Sequence, residues 1–128
     1  MRIGSRCHLW AGPGTGRIVI GNDVLFGPEV MLTAASYDYS QGSPVTEQPM
    51  HEGDIVIGND VWLATRSIVL PGTTIGDGAI IAAGAVVKGE VPPMAIMAGS
   101  PAKVVSQRRL KDGGAGCVSG SPTDPAPR

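Results

Sequence analysis

Residues 57–91 read IGNDVWLATRSIVLPGTTIGDGAIIAAGAVVKGEV. Every sixth residue from Ile57 is a branched aliphatic: Ile57, Leu63, Val69, Ile75, Ile81 and Val87. The row four places on is Val61, Ser67, Thr73, Ala79, Ala85 and Val91, each small or β-branched. A period of six is neither the 3.6 of a helix nor the alternation of a simple strand. It suits a short strand and a turn repeated around a three-sided prism, with both rows facing inward. Three sides make one coil, and each coil buries the next. An antiparallel sandwich would not hold such a frame over 30 positions.

The same style extends toward the N-terminus. Ile20, Phe26 and Leu32 repeat at six, with Val24, Val30 and Ser36 as the companion row, and Ile3 and Leu9 suggest an earlier start. Glycines follow the inward aliphatic at Gly4, Gly21, Gly27, Gly58 and Gly76, and we read them as tolerating backbone geometries that a Cβ would penalise. The frame breaks between Leu32 and Ile57. The segment 33–54, TAASYDYSQGSPVTEQPMHEGD, is polar and rich in turn residues, so it is expected to leave the prism as a loop. Such an excursion from a rigid scaffold commonly carries function. The prism domain is expected over residues 1–105. Beyond it, 106–128 reads as a short basic segment and a disordered tail of Gly, Ser and Pro.

Composition narrows the class. The chain of 128 residues carries 10 Lys and Arg against 11 Asp and Glu, for a net charge of −1. That balance argues against nucleic acid or an anionic membrane surface as partner. No stretch is long and apolar enough for a membrane-spanning helix. Cys7 and Cys117 form neither a disulfide framework nor a zinc spacing, so a reducing, cytoplasmic setting and no metal are expected. With 19 Gly, 11 Pro and few aromatics, the interior should be narrow and the turns tight.

The runs IGNDVLFGPEV (20–30), IVIGNDVWLATRSIVLPGTTIGDGAIIAAGAVV (55–87) and MAGSPAKVV (97–105) resemble the hexapeptide-repeat acyltransferases, closest in pattern to the sugar, maltose, galactoside and colanic-acid-type O-acetyltransferases. The resemblance covers about Ile3 to Val105. It implies an all-β solenoid, a left-handed parallel β-helix; the spacing alone does not set the hand. It also implies acetyl-coenzyme A as acyl donor, held in a groove between two prisms of a homotrimer, and a small hydroxylated or amino acceptor such as a sugar. A γ-type carbonic anhydrase shares the prism but needs three zinc histidines, and this chain has only His8 and His51.

Acyl transfer from a thioester needs a general base for the acceptor proton and a cleft to align the reactants. In many family members the base is the histidine of Ser-His-Asp-Tyr. Here the motif reads Ser36-Tyr37-Asp38-Tyr39. An ordinary tyrosine, with a pKa near ~10, is a weak base at neutral pH. Three readings stay open: Tyr37 orients the acceptor while His51 acts as base; Asp38 acts as base; or the chain is a catalytically degenerate binding or assembly module. Tyr39 and Met50 of the same loop are candidates for the acceptor side.

For the cofactor, Ala82-Ala83-Gly84-Ala85 resembles the family's Gly-Ala-Gly-Ser element, which lies against the pantetheine arm, so Ala83 and Gly84 are assigned there by resemblance. Thr65 matches a contact from the preceding coil, and Trp62 matches the tryptophan of Val-Trp-Ile-Gly. Gly99-Ser100-Pro101-Ala102-Lys103 resembles the terminal element that places Pro101 by the adenine and Lys103 on phosphate. Lys88 sits one place before the family lysine and is a candidate phosphate ligand. Ala64 stands where the family carries glycine.

Overall fold

The computed structural model describes residues 1–110. The chain winds as a parallel β-helix of three faces, visited in turn. Face one stacks Arg2–Ile3, Leu25–Phe26, Trp62–Leu63, Ile80–Ile81 and Ala95–Gly99. Face two stacks His8–Trp10, Met31–Thr33, Ile68–Val69 and Val86–Val87, and face three stacks Ile18–Ile20, Ile55–Ile57, Thr74–Ile75 and Glu90–Val91. All these pairings are parallel.

The two six-residue rows form the core. Ile57, Leu63, Val69, Ile75, Ile81 and Val87 are all buried, as are Val61, Ser67, Thr73, Ala79 and Ala85. Equivalent residues lie eighteen apart, as in Leu63 opposite Ile81. One coil departs. Val91 pairs with Ile75, only sixteen residues on, so it fills the stepped aliphatic position rather than the companion position read from the sequence. The turn at Lys88-Gly89 has dropped two residues. Ser36 also leaves its expected row: it is exposed, in a hairpin outside the prism.

The glycines after the inward aliphatics have a different cause from the one expected. None of Gly4, Gly21, Gly27, Gly58 and Gly76 has a positive φ. They are glycine because neighbouring coils approach too closely for a side chain: a Cβ on Gly27 would stand 2.7 Å from the Thr65 amide nitrogen. The left-handed corners lie elsewhere, at Asp60, Arg66, Gly72, Gly78 and Gly84, with φ of 58–81° and again a spacing of six. A left-handed conformation costs a non-glycine residue roughly 1–2 kcal/mol.

Around face one the chain turns back. Ala102–Gln107 runs antiparallel along Ala95–Gly99 and covers that end of the sheet. This strand carries regular structure past residue 105. Arg108 then fastens it, its Nη1 donating to Asp60 Oδ2 at 3.0 Å and to the Gly78 carbonyl at 3.1 Å. The tail expected to be disordered lies, from residue 111 on, outside the described residues.

Candidate active site

Two excursions interrupt the winding, and both leave at the edge between faces two and three. The first, residues 11–17, follows His8–Trp10; the second, 34–54, follows Met31–Thr33. The second folds on itself as an antiparallel hairpin, Ala35–Tyr37 against Met50–Glu52, with a short 3₁₀ turn at Val45–Glu47. The buried Gln48 pins its tip, accepting from the Gln41 amide at 3.2 Å and donating to the Ser43 carbonyl.

Glu52 joins the excursions. Its carboxylate accepts the backbone N–H groups of Gly14, Thr15 and Gly16 at 3.1, 3.1 and 2.7 Å. Those hydrogen bonds, led by Gly16, lower its pKa below the usual carboxylate value. The sequence reading missed both this clamp and the first excursion. A signal was present: Leu9 to Ile20 is eleven residues where one step should take six.

The hairpin walls an open cavity of about 580 Å³, lined among others by Tyr37, Asp38, Tyr39, His51, Leu70 and Lys88. Ser36 pairs with His51 and Tyr37 with Met50 across the hairpin. Side chains alternate along a strand, so Ser36, Asp38 and His51 share one side of this ribbon and Tyr37 and Met50 the other. His51 Nε2 accordingly lies 3.5 Å from Asp38 Oδ2. Asp38 also accepts from the Ser40 amide at 3.0 Å, the Ser40 hydroxyl at 2.8 Å and Gln41 Nε2 at 2.9 Å. These contacts, the Ser40 amide foremost, lower its pKa to about 2. A carboxylate so held accepts a proton poorly near neutral pH, and its geometry suits it to orienting an imidazole. Tyr39 stands far out in solvent, and Met50 is partly buried.

The residues assigned to the cofactor gather at a different edge, between faces one and two. The Gly84 amide donates to the Thr65 carbonyl at 3.0 Å, and Ala82 bonds the Met97 carbonyl, which leads into the Gly99–Pro101 turn. Where a Cβ on Gly84 would point there is open space within 4 Å. The edge is therefore a shallow track of small residues, with Lys103 exposed beside its end. Two assigned residues stand apart. Trp62 lines a separate depression on face one with Leu25, Ile80 and Arg108, and Lys88 lies in the hairpin cavity, across face two from the track. Among the described residues no group of three or more His, Cys, Asp or Glu is placed to hold a metal ion.

Fold and repeat together define a hexapeptide-repeat domain: residues 54–89 match the family model described as bacterial transferase hexapeptide (six repeats). In repeat and fold the chain resembles the hexapeptide-repeat acyltransferases and shares their left-handed parallel β-helix. It is similar to the chloramphenicol acetyltransferase of Agrobacterium fabrum, 52% identical over 56 residues, which are 44% of this chain and 27% of that protein. It is also similar to the galactoside O-acetyltransferase of Escherichia coli, 34% identical over 100 residues, 74% of this chain and 46% of that protein. Among solved structures, a galactoside acetyltransferase in complex with coenzyme A superposes with a TM-score of 0.71 at 28% identity, covering 84% of this chain and 55% of that one. The chain spans about half the length, or less, of the curated relatives it matches.

Proposed function

We propose that this protein is a coenzyme-A-dependent acyltransferase, with acetyl-coenzyme A as donor and a hydroxyl or amine of a sugar or similar small molecule as acceptor. The observation that carries the reading is the His51–Asp38 pair, held in an open cavity on a hexapeptide prism. His51 takes the acceptor proton, and Asp38 orients the ring. Imidazole is the side chain best suited to that exchange near neutral pH. Tyr37, on the other side of the ribbon, and Tyr39 offer phenol rings and hydroxyls to the acceptor.

The donor supplies an activated acetyl thioester. Thr65, Ala83, Gly84 and the Pro101 turn would bind its arm, and Lys103 its phosphates. In one chain a full face of the prism separates this track from His51. We therefore place the complete site between two protomers of a homotrimer, His51 facing the track of its neighbour. Light scattering should give three times the chain mass of 13.1 kDa; a stable monomer would remove the composite site. A cysteine content of only two, Cys7 and Cys117, is the ground on which we place it in a reducing, cytoplasmic setting.

The testing experiment is thiol release from acetyl-coenzyme A over a panel of sugar, amino-sugar and amphenicol acceptors. Acceptor-dependent release, lost in His51→Ala, supports the proposal. The non-catalytic alternative rests on Tyr37 standing at the family histidine, and it would show as coenzyme A binding without turnover against any acceptor.

A further inference from the structure

The hairpin cavity contains three charged side chains: Asp38, Glu52 and Lys88. The two carboxylates are already engaged. Asp38 accepts three hydrogen bonds from Ser40 and Gln41 and faces His51, and Glu52 is wrapped by three backbone amides. Lys88 differs. It is exposed within the lining and belongs to none of the ion pairs among the described residues. The shortened turn at Lys88-Gly89 sets it on the rung above Leu70, whose amide donates to the Val87 carbonyl at 3.0 Å, so it stands over the cavity floor. A ligand entering there meets one unpaired ammonium and the hydroxyls of Ser36, Tyr37 and Tyr39, while the anionic oxygens are largely spoken for. The ammonium can only donate, and the hydroxyls can donate as well as accept, so an anionic group entering beside Lys88 finds a charge partner and further donors.

We propose that this cavity takes an acidic acceptor, a hydroxylated ring bearing a carboxylate or phosphate, and that Lys88 reads the acidic group. The inference rests on the acyltransferase reading for the word acceptor, but the binding preference stands or falls by itself. It moves Lys88 from the cofactor, where the sequence pattern put it, to acceptor specificity.

The test is calorimetry on the full chain without acyl donor. The probes are methyl glucoside and methyl glucuronide, the corresponding galactose pair, and glucose 6-phosphate. The acidic member of a pair should bind about 5- to 30-fold tighter at low salt, the range between an exposed ion pair and a charge-assisted hydrogen bond. The preference should shrink as ionic strength rises. Lys88→Met should bring the pair within about 2-fold, and Lys88→Glu should reverse it, both leaving coenzyme A affinity unchanged. Equal affinity for acid and neutral sugar, or no binding of any of the three acidic probes, overturns the proposal. So does a Lys88→Met that weakens coenzyme A and leaves sugar preference alone, which would return Lys88 to the cofactor. A retained acid preference without thiol release against any acceptor supports the binding inference and removes the transferase reading instead.

Discussion

Replacing His51 by alanine deletes the one imidazole in the hairpin cavity and leaves the hairpin's own bonds intact. Positioned general-base catalysis contributes typically about 10²–10⁴-fold. His51 is 70% exposed, so water reaches the same cavity and replaces part of what the ring supplies. The loss in kcat/KM should therefore fall in the lower half of that range, about 10²–10³-fold, or about 3–4 kcal/mol of barrier. Asp38→Asn should cost less, about 10-fold, since the ring stays while its orienting charge goes. Tyr37→His should not rescue His51→Ala, because position 37 projects from the side of the ribbon opposite Asp38. The assay is thiol release under saturating donor, with circular dichroism confirming the fold of each variant. Unchanged turnover in His51→Ala would refute the assignment. Recovery in the Tyr37→His/His51→Ala double variant would show that the family position is the working one after all.

Three further outcomes are expected. Ser67 Oγ is buried within the core with no hydrogen-bond partner, so Ser67→Ala should stabilise the fold by about 1 kcal/mol in urea denaturation. Leu63 is fully buried between Phe26 and Ile81, in a prism whose hydrogen-bonded walls cannot collapse inward, so Leu63→Ala should cost about 3–5 kcal/mol by the same measurement. The lowered carboxyl pKa values of Glu52 and Asp38 set a direction in acid. Both groups stabilise the folded hairpin fully above the ordinary carboxylate values near ~4, and that contribution is lost as pH falls through the folded values, about 2 for Asp38. Hydrogen exchange at Gly14–Gly16 should accelerate over that interval beyond the intrinsic rate, and Glu52→Gln should show the same loosening at pH 6.

The prism was legible because its constraint is repetitive. One aliphatic from each side fills a narrow interior, so Ile57 to Val87 announce the architecture without any long-range information. Where a coil changes length the frame no longer carries it: Val91 looks like a companion residue until its pairing with Ile75 reveals the shortened turn. The glycines show a related limit. Gly27 and Gly84 look alike in sequence, yet one is pressed by the neighbouring coil at Ala64 and Thr65 and the other sits at a left-handed corner. At the site, the segment 33–54 and its chemistry-bearing residues could be read, but their relations could not. That His51 meets Asp38, that Trp62 and Lys88 stand away from the edge of Thr65 and Gly84, and that Glu52 reaches back to Gly14–Gly16 all follow from strand pairing between distant segments.

That last reach ties the hairpin to a coil it does not belong to. The loop 11–17 leaves the coil of His8–Trp10, and its amides grip Glu52, next to His51. A loop held by a few exposed hydrogen bonds opens at lower cost than a buried coil. Loosening of that grip would release the hairpin while the middle coils stay wound. Mild heating should then silence the protein well below the temperature at which its β signal disappears.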